Sequence, residues 1–365
     1  MTQTDASRTD RPSPPHVMPA EWEPHAATWI AWPHHEPDWP GKLEAVHWVY
    51  AQIVRVLADS ERVEILCHSD DIQELARNCL DRTGIEPAAY RFHRVPTDRA
   101  WLRDSAPTAV RAREGTVAWV AWRFNAWAKY DNYKRDVEVA ARIAAITGLE
   151  CIEARRPDTG GPLVLEGGAL ECDGEGTILV TEECLLSEVQ QRNPGLDRAG
   201  YERALADYLG ARKVIWLGRG CAGDDTHGHI DDVARFTSPG RVVLAYAPDP
   251  ANADHDAGRD NLERLLHATD AAGRKLEVVT LPMPKPIFFE GDRLPASYAN
   301  FYVANRTVLV PTFDDPADRI AQNILAAEFP ERQTVGIHAV DLVLGLGTLH
   351  CLTQPQPADG GSQSI

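Results

Sequence analysis

Five residues of chemical character recur through this chain on a near-regular beat. Asp104, Glu166, His229, Asn300 and Cys351 are separated by 62, 63, 71 and 51 residues. Strand-like apolar runs keep the same beat: Val63-Glu64-Ile65-Leu66, Thr116-Val117-Ala118-Trp119-Val120, Ile178-Leu179-Val180, Val242-Val243-Leu244-Ala245 and Val308-Leu309-Val310. Helical periodicity falls over 42–57, 72–80, 134–147, 198–209, 260–271 and 316–328, so the order reads strand, helix, strand. About five similar units, each giving one residue to a central site, would fit a radial repeat of the propeller kind. The units share no obvious sequence identity.

No long low-complexity linker interrupts the beat, which argues against loosely tethered domains. Residues 1–17, rich in Thr, Asp, Arg and Pro, are expected to be disordered. Residues 18–357 are expected to form a single α/β domain and 358–365 a flexible tail. Net charge is −17, from 37 basic and 54 acidic residues. With no basic stripe, nucleic acid is excluded as a partner, and an anionic membrane surface with it. No run of about 18 apolar residues occurs, so no transmembrane helix is expected. The seven cysteines are irregularly spaced and include no C-x-x-C pair. That argues against a disulfide framework and a structural zinc site, and for a reducing cytoplasm. Assembly into a homo-oligomer stays open.

The cysteine at the end of the beat lies in Gly345-Leu346-Gly347-Thr348-Leu349-His350-Cys351. Glycines let backbone approach a ligand closely or adopt φ > 0. A thiol there, with a distant histidine and carboxylate, has the ingredients of covalent catalysis. In Trp101-Leu102-Arg103-Asp104, a strand would turn Arg103 and Asp104 to opposite faces; a charged surface turn is the plain alternative. Glu166-Gly167-Gly168 is either ligand-approaching backbone or a bulge with an exposed carboxylate. In His227-Gly228-His229-Ile230-Asp231, strand spacing would put both histidines and Asp231 on one face, a divalent-metal pattern. The rival reading makes His229 a proton shuttle and Asp231 a substrate clamp. A third is a polar strand end. No second H-x-H and no H-E-x-x-H supports the metal. The aromatics around Asn300 suit a pocket wall or ordinary strand packing.

In combination these segments resemble the agmatine deiminase family of guanidine-modifying enzymes, which includes bacterial peptidyl-arginine deiminases. The resemblance runs from Met18-Pro19-Ala20-Glu21-Trp22-Glu23-Pro24-His25 to Pro357. It includes Trp101-Leu102-Arg103-Asp104, Arg123-Phe124-Asn125-Ala126-Trp127, Glu166-Gly167-Gly168, Thr181-Glu182-Glu183-Cys184, Arg192-Asn193-Pro194, Thr226-His227-Gly228-His229-Ile230-Asp231, Ser297-Tyr298-Ala299-Asn300 and His350-Cys351-Leu352-Thr353-Gln354. It implies the pentein fold, a five-bladed α/β-propeller of ββαβ units with pseudo-fivefold symmetry. It implies Cys351 as nucleophile and His229 as general acid/base. Asp104 and Asp231 would hold the guanidinium, and Glu166 would stand beside the histidine or substrate. Trp101, Arg103 and Asn300 complete the expected substrate site. No metal and no cofactor are implied.

The implied reaction is hydrolysis of agmatine to N-carbamoylputrescine and ammonia through a thiouronium on Cys351. Two carboxylates can pair with a planar guanidinium and balance its buried charge. The thiolate is the reactive form, and a nearby cation, the His229 imidazolium or the substrate, favours it. Arginine residues in peptides or another small guanidino compound are the alternatives. A metal hydrolase using His227, His229 and Asp231, or a non-catalytic guanidino-binding protein, stands further off. Family members usually carry glycine at the positions of Ala106 and Leu346, Asn at Thr348 and Gln at Pro355. Those departures bear on the substrate more than on the reaction.

Overall fold

A computed structural model describes residues 16–360. Five mixed sheets with one wiring account for nearly all of its strands, and a small hairpin, Phe288–Phe289 with Asp292–Arg293, stands apart. The wiring is a short strand, an antiparallel middle strand, a crossover helix and a parallel outer strand. The sheet of Glu171–Cys172, Thr177–Thr181 and Lys213–Leu217 is the simplest example, with Glu171 opposite Leu179 and Val214 beside Ile178. Its crossover helix is Arg198–Leu209, capped by the Asp197 side chain and closed by Gly210 in the left-handed conformation. The pattern repeats in Ala234–Ser238, Arg241–Ala245 and Glu277–Leu281, and again in Tyr302–Val303, Thr307–Thr312 and Gln333–His338. It holds in Thr108–Ala112, Val117–Ala121 and Cys151–Glu153, where His16–Val17 adds an edge strand.

In the remaining sheet the short strand is Thr353–Pro357, from the far end of the chain. It pairs antiparallel with His25–Ala31, which runs parallel to Arg62–Cys67 and then to Tyr90–Arg94. The two ends of the described chain are thereby joined.

The beat in the sequence now has a physical origin. A single helical turn directly precedes the short strand of every sheet: Leu102–Ser105, Gly167–Ala169, Ile230–Asp232, Tyr298–Asn300 and Leu349–Leu352. Each turn carries, or directly follows, one of the five spaced residues. The turns touch one another in chain order, and the fifth returns to the first. Burial of the apolar middle strands, such as Leu179, Val243 and Leu309, holds this ring from outside.

The periodic helices over 42–57, 198–209 and 316–328 are found within a residue of those bounds. The helix read at 260–271 is instead His255–His267. Its first turn contains Gly258, which reads as a breaker but is there because a Cβ would press on the Tyr246 ring at 3.1 Å. Of the segment expected to be disordered, residues 1–15 lie outside the described residues, but His16 and Val17 pair with Ala112 and Arg111. In the expected tail, residues 361–365 lie outside the described residues, whereas Ala358 N–H donates to the Pro24 carbonyl at 2.8 Å. All seven cysteines are unpaired. Among the described residues no helix is long and apolar enough to cross a membrane.

Candidate active site

The ring of helical turns gathers Asp104, Glu166, His229, Asp231, Asn300 and Cys351 into one buried cluster. Cys351 lies in the turn Leu349–Leu352, with its Sγ 3.1 Å from Asn300 Nδ2 and 3.5 Å from Asp231 Oδ2. Asn300 is the bracket of this corner. Its Oδ1 accepts from Thr348 Oγ1 at 2.8 Å and from the His350 N–H at 2.9 Å, while its amide donates to the sulfur. Burial pushes the Cys351 thiol well above its ordinary pKa, and Asp231, Asp232 and Asp104 push it further. The resting sulfur is a neutral thiol.

Opposite stands His229. Its Nδ1 is 3.9 Å from Asp104 Oδ1 and its Nε2 is 3.6 Å from Glu166 Oε2. Both distances exceed a hydrogen bond, and neither ring nitrogen is satisfied. Burial opposes the imidazolium, but Asp104 first, then Cys184 and Glu166, outweigh it and hold the pKa well above the usual 6.5. Glu166 is fully buried; burial would raise its pKa, but Arg192, 3.1 Å from Oε1, outweighs it and keeps the carboxylate ionised.

Asp104 accepts from Gly168 N–H at 3.0 Å and from Trp127 Nε1 at 2.9 Å. Burial, with crowding by Asp231 and Glu166, raises its pKa to about 6. Gly168 has a steric reason: a Cβ there would stand 2.5 Å from His229 Nδ1 and 2.8 Å from Asp104 Oδ1. Trp127 is delivered by a strained turn. Ala126, Trp127 and Ala128 have φ of 50°, 58° and 55°, each costing about 1–2 kcal/mol for an L-residue. Gln190 Nε2 holds the turn through the Trp127 carbonyl at 3.1 Å.

A second histidine lies beneath the sulfur. His350 Nδ1 is 2.7 Å from Asp231 Oδ2, and Nε2 is 2.9 Å from Glu21 Oε2. Both ring nitrogens of His350 are thereby taken up by carboxylates. Arg103 and Arg235 each donate to Glu21 at 2.8 Å, and Arg235 also reaches Glu171 at 2.7 Å. The His350 contact, against the effect of burial, keeps the Asp231 pKa low. Asp232 is the reverse: burial first, then Asp231, raises it far above the usual range.

Several sequence expectations change here. Arg103 and Asp104 lie on a helical turn, not a strand. Arg103 was expected at the substrate; its guanidinium instead donates to Glu21 and to the His350 carbonyl at 3.2 Å. His227, His229 and Asp231 share no strand face. Their segment is a loop running into a single 3₁₀ turn, His227 has φ of 64°, and its Nε2 bonds Ser187 Oγ at 3.0 Å. Among the described residues the donor groups able to share an ion are Glu166, Cys184 and His229, and Asp231, Asp232 and Cys351; neither includes His227. Gly345 and Gly347 serve close packing: a Cβ on either would press the Trp101 ring at 2.7–2.8 Å. The left-handed residue between them is Leu346. Glu21, Trp127, Cys184, Arg192 and His350 were not singled out, although each lies in a segment carrying the family resemblance.

A family model of Porphyromonas-type peptidyl-arginine deiminases matches residues 17–357. The chain is 38% identical to an agmatine deiminase of Pseudomonas aeruginosa, over 93% of this chain and 95% of that one. The solved agmatine deiminase of Enterococcus faecalis superposes with a TM-score of 0.85 at 34% identity, covering 96% of this chain and 99% of that one. A C. jejuni agmatine deiminase with substrate bound superposes at 0.83 and 26% identity, covering 94% and 97%.

Proposed function

The chain belongs to the Porphyromonas-type peptidyl-arginine deiminase family, and from that premise we propose that it is a cysteine hydrolase converting agmatine and water to N-carbamoylputrescine and ammonia. The observation that carries the reading is the buried pairing of the Cys351 thiol with Asp231 across from an unsatisfied His229 beside Asp104 and Glu166. The five sheets are read as five blades around a pseudo-fivefold axis, the pentein α/β-propeller. The cyclic contact of the five helical turns supports this.

The guanidinium lies between the carboxylates of Asp104 and Asp231, its plane fixed by paired N–H contacts. Its positive charge offsets the acids that keep Cys351 protonated, so substrate arrival lets the thiol lose its proton to solvent and yields the nucleophile. Sulfur attacks the central carbon, and Asn300 Nδ2 steadies the sulfur. His229, already protonated, gives its proton to the departing nitrogen as the C–N bond breaks. Ammonia leaves a thiouronium on Cys351. The neutral imidazole then takes a proton from water, which adds to the carbon, and the C–S bond breaks to release the ureido product. Glu166 orients His229, and Trp101 packs against the loop before Cys351.

The unpaired cysteines fit a reducing cytoplasm. Ammonia release from agmatine, arginine and arginyl peptides tests the assignment, with agmatine expected to be turned over fastest. Cys351→Ser should fold and bind agmatine yet release no ammonia. Near-normal release by that variant would refute the covalent route.

A further inference from the structure

We propose that Glu166, Cys184 and His229 form a binding site for a thiophilic divalent cation of the zinc class, and that its occupation shuts the enzyme off. The inhibitory half of this inference rests on His229 being the acid/base of the reaction; the binding half does not.

The reaction described above uses Cys351 and leaves Cys184 without a task. Yet Cys184 is buried at 1% exposure in the middle of the site. One ligand atom each from Cys184, Glu166 and His229 lies within 4.8 Å of the others. Thiolate, carboxylate and imidazole are a zinc donor set, and three protein donors leave a fourth position open. Such an ion needs ligand–ligand separations somewhat shorter than 4.8 Å, and the Glu166 Oε2 to His229 Nε2 separation of 3.6 Å already lies close to that range.

The independent observation is that two of these three groups lack hydrogen-bond partners. Both His229 ring nitrogens and Glu166 Oε2 are buried polar atoms without a hydrogen-bond partner. Such atoms are costly unless something answers them. Arg192 engages only Oε1 of Glu166, at 3.1 Å, leaving Oε2 available. The backbone is also fixed. Thr181 Oγ1 accepts from Cys184 N–H at 3.1 Å and donates to the Gly228 carbonyl at 2.5 Å, so one hydroxyl ties the Cys184 turn to the residue before His229. Asp104 and Asp231 complete an acidic surround that suits a dication as well as a guanidinium.

Binding displaces the Cys184 thiol proton and the His229 imidazolium proton to solvent as the metal–sulfur and metal–nitrogen bonds form, with no redox change. The ion then holds the imidazole that must give and take protons, and its charge repels the incoming guanidinium.

The test uses metal-free Cys351→Ser protein, which removes the second donor group from the question. Zinc is titrated against a chromogenic chelator, and cobalt is used to read thiolate charge-transfer absorption. One equivalent should bind, with the thiolate band present. Adding Cys184→Ser should abolish the band and weaken binding by more than the roughly 100-fold that loss of an outer-shell partner can cost. Adding His229→Gln instead should weaken binding similarly while keeping the band, and this variant decides the matter if the buried serine disturbs folding by circular dichroism. Absence of stoichiometric binding in Cys351→Ser, or binding indifferent to both added substitutions, would overturn the site. Zinc bound only when Cys351 is present would assign it to Asp231, Asp232 and Cys351 and also overturn it. In the wild-type enzyme, zinc should suppress ammonia release at the concentration where it binds. If chelator-treated wild type released no ammonia from agmatine, the functional reading would fail, and the binding result on Cys351→Ser would stand by itself.

Discussion

Two histidines flank the nucleophile, both fully buried and both between two carboxylates, yet they are opposite devices. His350 meets Asp231 and Glu21 at 2.7 and 2.9 Å, inside a network closed by Arg103 and Arg235. His229 stands 3.9 and 3.6 Å from Asp104 and Glu166 and completes no bond. One ångström separates a structural histidine from a reactive one. A histidine bonded at both ring nitrogens has neither free to meet a substrate. A histidine held only by the field of its neighbours can exchange its proton while the structure stays put.

The matched substitutions His229→Gln and His350→Gln put that contrast at risk. His229→Gln should reduce kcat by up to about four orders of magnitude, the upper range for general acid–base catalysis. It should spare agmatine binding in the Cys351→Ser background, and its thermal stability should fall less than that of His350→Gln. Substantial turnover by His229→Gln would mean the unsatisfied imidazole is not the proton carrier.

Asp104 sharpens the comparison from the side of the carboxylates. Asp104→Asn should reduce kcat/KM by roughly two to four orders, the equivalent of about 3–5 kcal/mol for a buried cation losing a partner. Because burial raises Asp104 to about 6, its half of the clamp is present above that pH and lost as pH falls through it. The wild-type kcat/KM profile should therefore drop on the acid side with an apparent pKa near 6. If calorimetry showed Asp104→Asn binding agmatine as tightly as its parent, both in the Cys351→Ser background, Asp104 would be structural only.

His350→Gln should act mainly on stability, with a loss of about 3–5 kcal/mol for two buried carboxylates, Glu21 and Asp231, that lose a shared partner. Without the His350 contact, Asp231 loses what keeps its pKa low, so its half of the clamp should be lost at a higher pH than in the wild type. Denaturant unfolding and a pH profile check both parts. A variant as stable as wild type would erase the distinction between the two rings.

How much of this was legible beforehand follows from range. The beat of Asp104, Glu166, His229, Asn300 and Cys351 was readable because each sheet repeats one wiring, and the family resemblance then named the roles. The local geometry at 101–104 and 227–231 is not printed in the sequence, which leaves strand and turn readings open there. Turns of three or four residues are too short to print a period of their own. Glu21 was passed over for a different reason. It meets His350 because Thr353–Pro357 pairs with His25–Ala31 across the chain's two ends, and no local pattern encodes a contact of that range. Arg103, expected at the substrate, has that same Glu21 as its partner for the same reason of range.

The smallest effect concerns Leu346, which stands where family members usually carry glycine. Its φ of 68° and ψ of 26° are left-handed, at the end of the 3₁₀ turn Leu342–Gly345 that leads to the nucleophile. An L-residue pays about 1–2 kcal/mol for that conformation. Leucine recovers part of the cost by packing its half-buried side chain against the core around Trp101. Truncation to alanine keeps the strain and loses the packing; truncation to glycine loses the packing and the strain together. Leu346→Gly should therefore be more stable than Leu346→Ala by about 1 kcal/mol, the reverse of the order at ordinary helix or strand positions. Paired melting curves decide it. Alanine matching or exceeding glycine would show that the loop before Cys351 relaxes out of the left-handed conformation, and the geometry that brings Trp101 to the site would no longer be fixed by this turn.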